Sequence, residues 1–181
     1  MTAESYIQAL PKIELNLQFE GAVPRETLLM LADQNEIRDR VKRFDKWLTQ
    51  YENPDFKKLD SLLEMLRSWV IYGDDLTRAV YDIGVALSKD NVRYAEISID
   101  PLSYVTGDLT FEAFLAALND GRDRAERAWG VQMRWVMTLP RDKPRQADEV
   151  ARWAISHTAL DGGVVGVALG RTDATKINTI D

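Results

Sequence analysis

The chain has 181 residues, 45% of them apolar and 29% charged, which suits one domain, or at most a small domain with a large appendage, and is enough to build a core. Its 29 acidic against 23 basic residues give a net charge of -6 and a pI near 4.9, which disfavours nucleic acid as a bulk partner. There is no cysteine and a single histidine, His157, so disulfides, thiolate chemistry, cysteine-held zinc and any two-histidine metal site within a single chain are ruled out.

A serine triad or a general base at neutral pH would have to use His157. The N-terminal MTAESYIQALPK carries neither a basic start nor an apolar run, and nowhere do about 18 apolar residues run together. The expectation is a soluble, cytoplasmic chain with no membrane segment.

No repeat, low-complexity tract or proline-rich linker divides the sequence; alternation organises it instead. From Lys12 to Phe19 a period of two predicts a first strand, with Ile13, Leu15, Leu17 and Phe19 on one face and Glu14, Asn16 and Gln18 on the other. Gly21 and then Pro24 open a helix striped by Leu28, Leu29 and Ala32. Charge and aromatics dominate a helical insertion at about 35–72, where Asn53-Pro54 separates two predicted helices, Glu36–Tyr51 and Phe56–Val70. Asp74 or Asp75 can cap a further helix on which Leu76, Ala79, Val80, Ile83 and Leu87 recur.

A second strand, Val92 to Asp100, opposes Ala95, Ile97 and Ile99 to Tyr94, Glu96 and Ser98, and Pro101 blocks its continuation. Thr110 caps a long helix that Gly130 closes, and Val131 to Leu139 is the third strand. The helix Pro144–Ala159 and the pair Gly162-Gly163 precede a fourth, almost wholly apolar strand, Val164 to Leu169. Four strands separated by helices predict an α/β fold with parallel strands and right-handed crossovers. An open doubly wound sheet would bury both strand faces, whereas a barrel brings polar residues to the C-terminal strand ends. Asn16, Gln18 and Glu20 gather at that end of the first strand, which favours an arc of a barrel.

The stretch Leu10-Pro11-Lys12-Ile13-Glu14-Leu15-Asn16-Leu17-Gln18-Phe19-Glu20-Gly21-Ala22 resembles the first strand of the adenosine deaminase family of zinc aminohydrolases. Asp90-Asn91-Val92-Arg93-Tyr94-Ala95-Glu96 is similar to that family's second strand, and Gly162 to Gly170 to its fourth. The resemblance implies half of a (β/α)8 TIM-type barrel, residues 1–170, followed by a tail, 171–181, because a whole barrel needs about 250 residues. In the tail, Lys176 to Asp181 looks like the family's last strand, with Ile180 where an acidic ligand stands.

In that family the first strand carries a His-x-His pair that binds the metal, and here Asn16-Leu17-Gln18 stands in its place. Carboxamides are neutral oxygen donors that cannot replace imidazole in gripping zinc or polarising a water. The second strand departs as well, with Ser98 where relatives carry arginine. The remaining catalytic groups come from the barrel's second half. The resemblance therefore implies zinc-dependent adenosine or adenine aminohydrolase activity for the family, but no catalytic residue, no metal ligand and no cofactor in this chain.

Asn16, Gln18, Glu20 and Gly170 are the candidate substrate-binding residues; Glu20 matches an acidic position near the nucleoside sugar and Gly170 a region where backbone amides meet the purine. Each also has a plain structural explanation, as a satisfied polar residue or a glycine ending a strand. His157 belongs to a surface or groove position without chemistry, Trp69, Trp129, Trp135 and Trp153 to packing, and the run Arg122 to Arg127 to a solvated helix face. Three functions remain. The first is an inactive half-barrel whose two open edges and apolar inner face invite a partner, with two copies pairing strand four of each with strand one of the other to close eight strands. The second is a nucleoside aminohydrolase that borrows groups from another chain, and the third a metal-free purine nucleoside-binding module.

Overall fold

A computed structural model describes residues 2–40, 44–53, 55, 57, 59–107, 109–158 and 162–170, so the tail 171–181 and its strand-like hexapeptide lie outside the described residues. The elements run α1 (Ala3–Ala9), β1 (Lys12–Gln18), α2 (Phe19–Ala22), α3 (Arg25–Gln34), α4 (Ile37–Arg40), α5 (Phe44–Glu52), α6 (Leu59–Arg67), α7 (Gly73–Lys89), β2 (Val92–Ile99), α8 (Phe111–Trp129), β3 (Gln132–Leu139), α9 (Pro144–Ser156) and β4 (Val164–Leu169). The strands are all parallel and lie in the order β1-β2-β3-β4. Sequential order without a reversal leaves no switch point of the doubly wound kind, so the sheet is an arc.

Helices α7, α8 and α9 pack on one face of this arc, over Ala95, Ile97 and Ile99 of β2 and Met133, Trp135 and Met137 of β3, all fully buried. The alternation in β2 follows the sequence expectation, and the register places Ala95 beside Met133, Ile97 beside Trp135 and Ile99 beside Met137. The long helix α8 starts and stops where predicted. The Thr110 hydroxyl accepts from the Ala113 N–H at 3.2 Å, and Gly130 turns the chain at φ 70°, a left-handed conformation that glycine adopts without a Cβ penalty.

Several expectations change. In β1 the alternation breaks, because the register to β2 shifts between Glu14 and Leu17 and Asn16 takes φ 61°, a conformation asparagine tolerates better than most residues. Ile13 thus lies beside Tyr94 on the open face while Leu17 lies beside Ile97 on the helix-covered face, so the four apolar residues share no face. Ile13 and Leu15 are 66% and 61% exposed. Phe19 opens α2 instead of ending the strand, and one helical turn lets Phe19 and Glu20 both point inward, where alternation would have separated them.

Asp75 caps α7 as expected, but from its third position, with Tyr72 at the N-cap. From the first turn of α7 its buried carboxylate reaches back to accept from the Ile71 and Tyr72 N–H groups at 2.9 and 3.0 Å and from Asn35 Nδ2 at 2.8 Å, satisfying orphan donors from inside the helix. Arg122 is buried rather than solvated; it lies against Gly163 beneath the start of β4 and contacts Asp123. The open face is not apolar: Tyr94, Glu96, Arg134 and Thr138 share it with Val136 and Ala168.

In the insertion, α4 and α5 occupy the stretch predicted as one helix, with residues 41–43 outside the described set. The second predicted helix is the shorter α6, whose end tightens as Trp69 and Val70 donate to Leu66 and Arg67 three residues back. The N-terminal helix α1, which periodicity missed, buries none of its residues. Among the described residues no helix is long and apolar enough to cross a membrane.

Candidate functional site

At the C-terminal ends of the strands lies an open cavity of about 610 Å³. Gln18 at the end of β1, Asp100 and Ser103 after β2, Thr138 to Lys143 at the end of β3 and just beyond it, and Gly170 after β4 line it, and α6 and the residue after it close one side with Leu63, Glu64, Arg67 and Ser68. Its charge is balanced, with Arg67, Arg141 and Lys143 against Glu64, Asp100 and Asp142, and no aromatic ring is among the lining residues. The site therefore suits a polar ligand bearing both donors and acceptors better than a bare anion.

Of the four candidates, Gln18 and Gly170 line this cavity and Asn16 and Glu20 do not. Asn16 is exposed on β1 and accepts a hydrogen bond from the Ser98 hydroxyl at 3.1 Å. Glu20 is 2% exposed and its carboxylate is occupied: Oε1 accepts from Arg67 Nε at 2.6 Å and from the Tyr104 hydroxyl at 3.0 Å, and Oε2 from Gln18 Nε2 at 2.5 Å. Gly170 has a local reason to be glycine. Its N–H donates to the Leu139 carbonyl at 2.7 Å, and a Cβ there would stand 3.0 Å from that same oxygen.

Sequence reasoning missed Arg67 and Tyr104, which lie 47 and 84 residues from Glu20 and carry no local signal. Tyr104 is aimed by its neighbours, edge-on to Phe19 at 5.8 Å and stacked on Phe114 at 5.9 Å. Burial, reinforced by the Glu20 carboxylate, holds the Tyr104 hydroxyl well above its ordinary pKa, so it remains a donor. Burial pulls the Arg67 guanidinium down, but the charge and hydrogen bond of Glu20 outweigh this and raise it overall. The Glu20, Arg67, Tyr104 and Gln18 group ties the insertion to the end of β1 with an ion pair whose acid is desolvated and fully hydrogen-bonded.

A parallel arc with consecutive strands, helices on one face and a cavity at the C-terminal strand ends defines a TIM-type half-barrel with its site at the mouth. The adenosine deaminase family model matches residues 11–179, and the chain belongs to that family. It is 30% identical over 166 residues to an adenine deaminase of Gibberella zeae, covering 88% of this chain and 45% of that protein. It is 26% identical over 171 residues to an aminodeoxyfutalosine deaminase of Streptomyces avermitilis, covering 92% and 47%. Among solved structures, a Burkholderia ambifaria amidohydrolase with bound Zn superposes with a TM-score of 0.78 at 26% identity, covering 96% of this chain and 48% of that one. The chain thus spans about half the length of the relatives it matches, and its four parallel strands are half of a (β/α)8 barrel.

Among the described residues at the mouth, Asn16 and Gln18 offer neutral carboxamides, the first accepting from Ser98 and the second donating to Glu20, and the Glu20 oxygens are taken. His157 lies at the opposite end of the sheet: it caps α9, its Nδ1 is 2.9 Å from the Trp153 carbonyl, and its backbone packs against Gly162 just before β4.

Proposed function

We propose that this chain is a catalytically inactive half-barrel of the adenosine deaminase family that works by association, a second copy pairing its β1 with β4 and its β4 with β1 to close eight strands. The observation that carries the reading is the engagement of Asn16 with Ser98 and of Gln18 with Glu20. On the register given by the resemblance these two hold the places of the metal-binding imidazoles, and their hydrogen bonds supply from within the fold the order that a cation would otherwise impose. Among the described residues both sheet edges are unpaired, and an unpaired parallel edge with exposed apolar side chains favours association. A cytoplasmic location belongs to the same proposal.

Incubation of the purified chain with adenosine or adenine and zinc, following ammonia, is expected to give no release above buffer. Turnover that a chelator abolishes would overturn the inactive reading. The 610 Å³ cavity lined by Gln18 and Gly170 favours a second reading, a metal-free purine nucleoside-binding module. Calorimetric titration with adenosine and inosine separates the two, since heat of binding supports the module and none at millimolar ligand removes it.

A further inference from the structure

The buried carboxylate of Glu20 spends its oxygens on two residues that line the mouth: Gln18 gives it Nε2 at 2.5 Å and Arg67 gives it Nε at 2.6 Å. A carboxylate only accepts, so the Gln18 amide is held with its nitrogen toward Glu20 and its oxygen, Oε1, turned away. The guanidinium is fixed in the same manner. With Nε committed to the acid, Nη1 and Nη2 are left to donate elsewhere. Among the described residues neither Gln18 Oε1 nor the Arg67 Nη groups have a hydrogen-bond partner, and none of these atoms is sealed from solvent. One carboxylate therefore sets an acceptor beside a pair of donors at the 610 Å³ cavity.

The charge of Arg67 is already matched by Glu20, and Asp100 acts on the same guanidinium. Asp100 is itself held in place, its carboxylate accepting from the Leu102 N–H at 3.0 Å and from the Ser103 hydroxyl at 2.7 Å. The pair thus offers direction without surplus positive charge, which favours an uncharged ligand over a phosphate ester. No aromatic ring lines the cavity, so a base would be read by its edge. The edge that fits carries an acceptor with two lone pairs next to an N–H. A lactam has this form: its carbonyl oxygen can take both Nη donors, and its N–H meets Gln18 Oε1. The amino edge of adenosine fits less well, because its ring nitrogen has a single lone pair and leaves one Nη donor unmet.

We propose that Gln18 Oε1 and the Arg67 Nη groups are a recognition pair for the lactam edge of an uncharged 6-oxopurine nucleoside such as inosine, with Glu20 as the positioning residue behind them. The inference rests on the second reading above, the mouth as a metal-free nucleoside-binding site, and adds which nucleoside and which atoms. Glu20 does not meet the ligand. Its part is to choose which end of the Gln18 amide and which nitrogens of Arg67 are free for the cavity, while the Tyr104 hydroxyl, donating to its Oε1 at 3.0 Å, keeps the carboxylate in place.

Calorimetric titration of the unaltered chain is expected to show inosine bound about tenfold more tightly than adenosine, and 1-methylinosine, which keeps the carbonyl but lacks the N–H, bound about tenfold more weakly than inosine. Arg67→Lys retains a cation for Glu20 but loses the fork, and is expected to bring inosine down to the affinity of adenosine. Glu20→Gln, equal in shape, can donate to Gln18 and lets that amide turn its nitrogen outward, so the preference for inosine is expected to vanish in a chain that still melts cooperatively. A purely structural role for Glu20 would lower the melting temperature and leave the ratio of the two affinities unchanged. No heat from either nucleoside at millimolar concentration would overturn the nucleoside-binding reading, and the recognition pair with it. Equal affinity of the unaltered chain for inosine and adenosine, undiminished binding of 1-methylinosine, or inosine 5′-monophosphate held more than about tenfold tighter than inosine would overturn the pair alone.

Discussion

The central strands β2 and β3 and the edge strands β1 and β4 are built from the same kinds of residue and meet opposite fates. Ala95, Ile97, Met133 and Trp135 are sealed beneath α7, α8 and α9, while Ile13, Leu15 and Val167 stand in solvent with more than enough hydrophobicity for a core. The difference lies in neighbours. A central strand fills both hydrogen-bonding ladders and receives helices on its outer face, whereas among the described residues an edge strand has one ladder, and β4, although α9 packs on it, leaves Val165, Val167 and Leu169 about half exposed. Exposure in this molecule reports position in the sheet.

Truncation in the two regions breaks this contrast most directly. Trp135→Ala removes a fully buried indole and its hydrogen bond to Asn119, and is expected to cost about 3–5 kcal/mol in urea unfolding, whereas Val167→Ala on an isolated protomer should cost under about 1 kcal/mol. An equal loss at both positions in dilute solution would erase the distinction between centre and edge. In a self-associated chain, the Val167→Ala cost should grow with protein concentration, which thermal melts across a dilution series would detect.

Next in size is the tie between β1 and the insertion. Arg67→Ala leaves the Glu20 carboxylate buried with only Tyr104 and Gln18 as donors, and is expected to cost about 2–4 kcal/mol, less than a fully buried pair because Arg67 is partly exposed. Tyr104→Phe should cost about 1.5 kcal/mol or more through loss of a hydrogen bond to a charged acceptor. Tyr104 also gives this tie a pH signature. Its folded-state pKa lies well above the ordinary value of 10.0, so its contribution is complete below about pH 10 and declines above it, as the unfolded chain releases a proton that the folded chain retains. Tyr104→Phe is expected to flatten that alkaline decline, measured as unfolding free energy from pH 8 upward, roughly the range where free tyrosine ionises.

The smallest effect concerns the irregularity in β1. Asn16→Gly keeps the φ of 61° accessible and is expected to change stability by under about 0.5 kcal/mol, while Asn16→Val forces a β-branched residue into it at about 1–2 kcal/mol. A valine tolerated without loss would mean that the register shift between Glu14 and Leu17 relaxes, which amide hydrogen exchange along β1 would reveal.

The chain's local chemistry carried a good deal of the architecture. Period-two runs placed the first two strands and an almost wholly apolar run the fourth, Thr110 and Gly130 delimited α8, and the succession of strands and helices set a parallel α/β fold with its mouth at the strand C-termini. These features are legible because each depends on residues within a turn or two of one another.

Contacts across the fold decided the rest. Alternation could not reveal that Ile13 and Leu17 face opposite ways, because a register shift is a property of two strands and of the φ at Asn16. Nor could it find Arg67 and Tyr104 closing on Glu20, or Arg122 drawn under Gly163, since a charged side chain is buried only when distant backbone folds around it. Short-range periodicity is written in consecutive residues and survives reading one at a time. Pairing register, ion-pair partners and the exposure of an edge exist only once the strands lie side by side, because each is an energy between segments far apart in the chain.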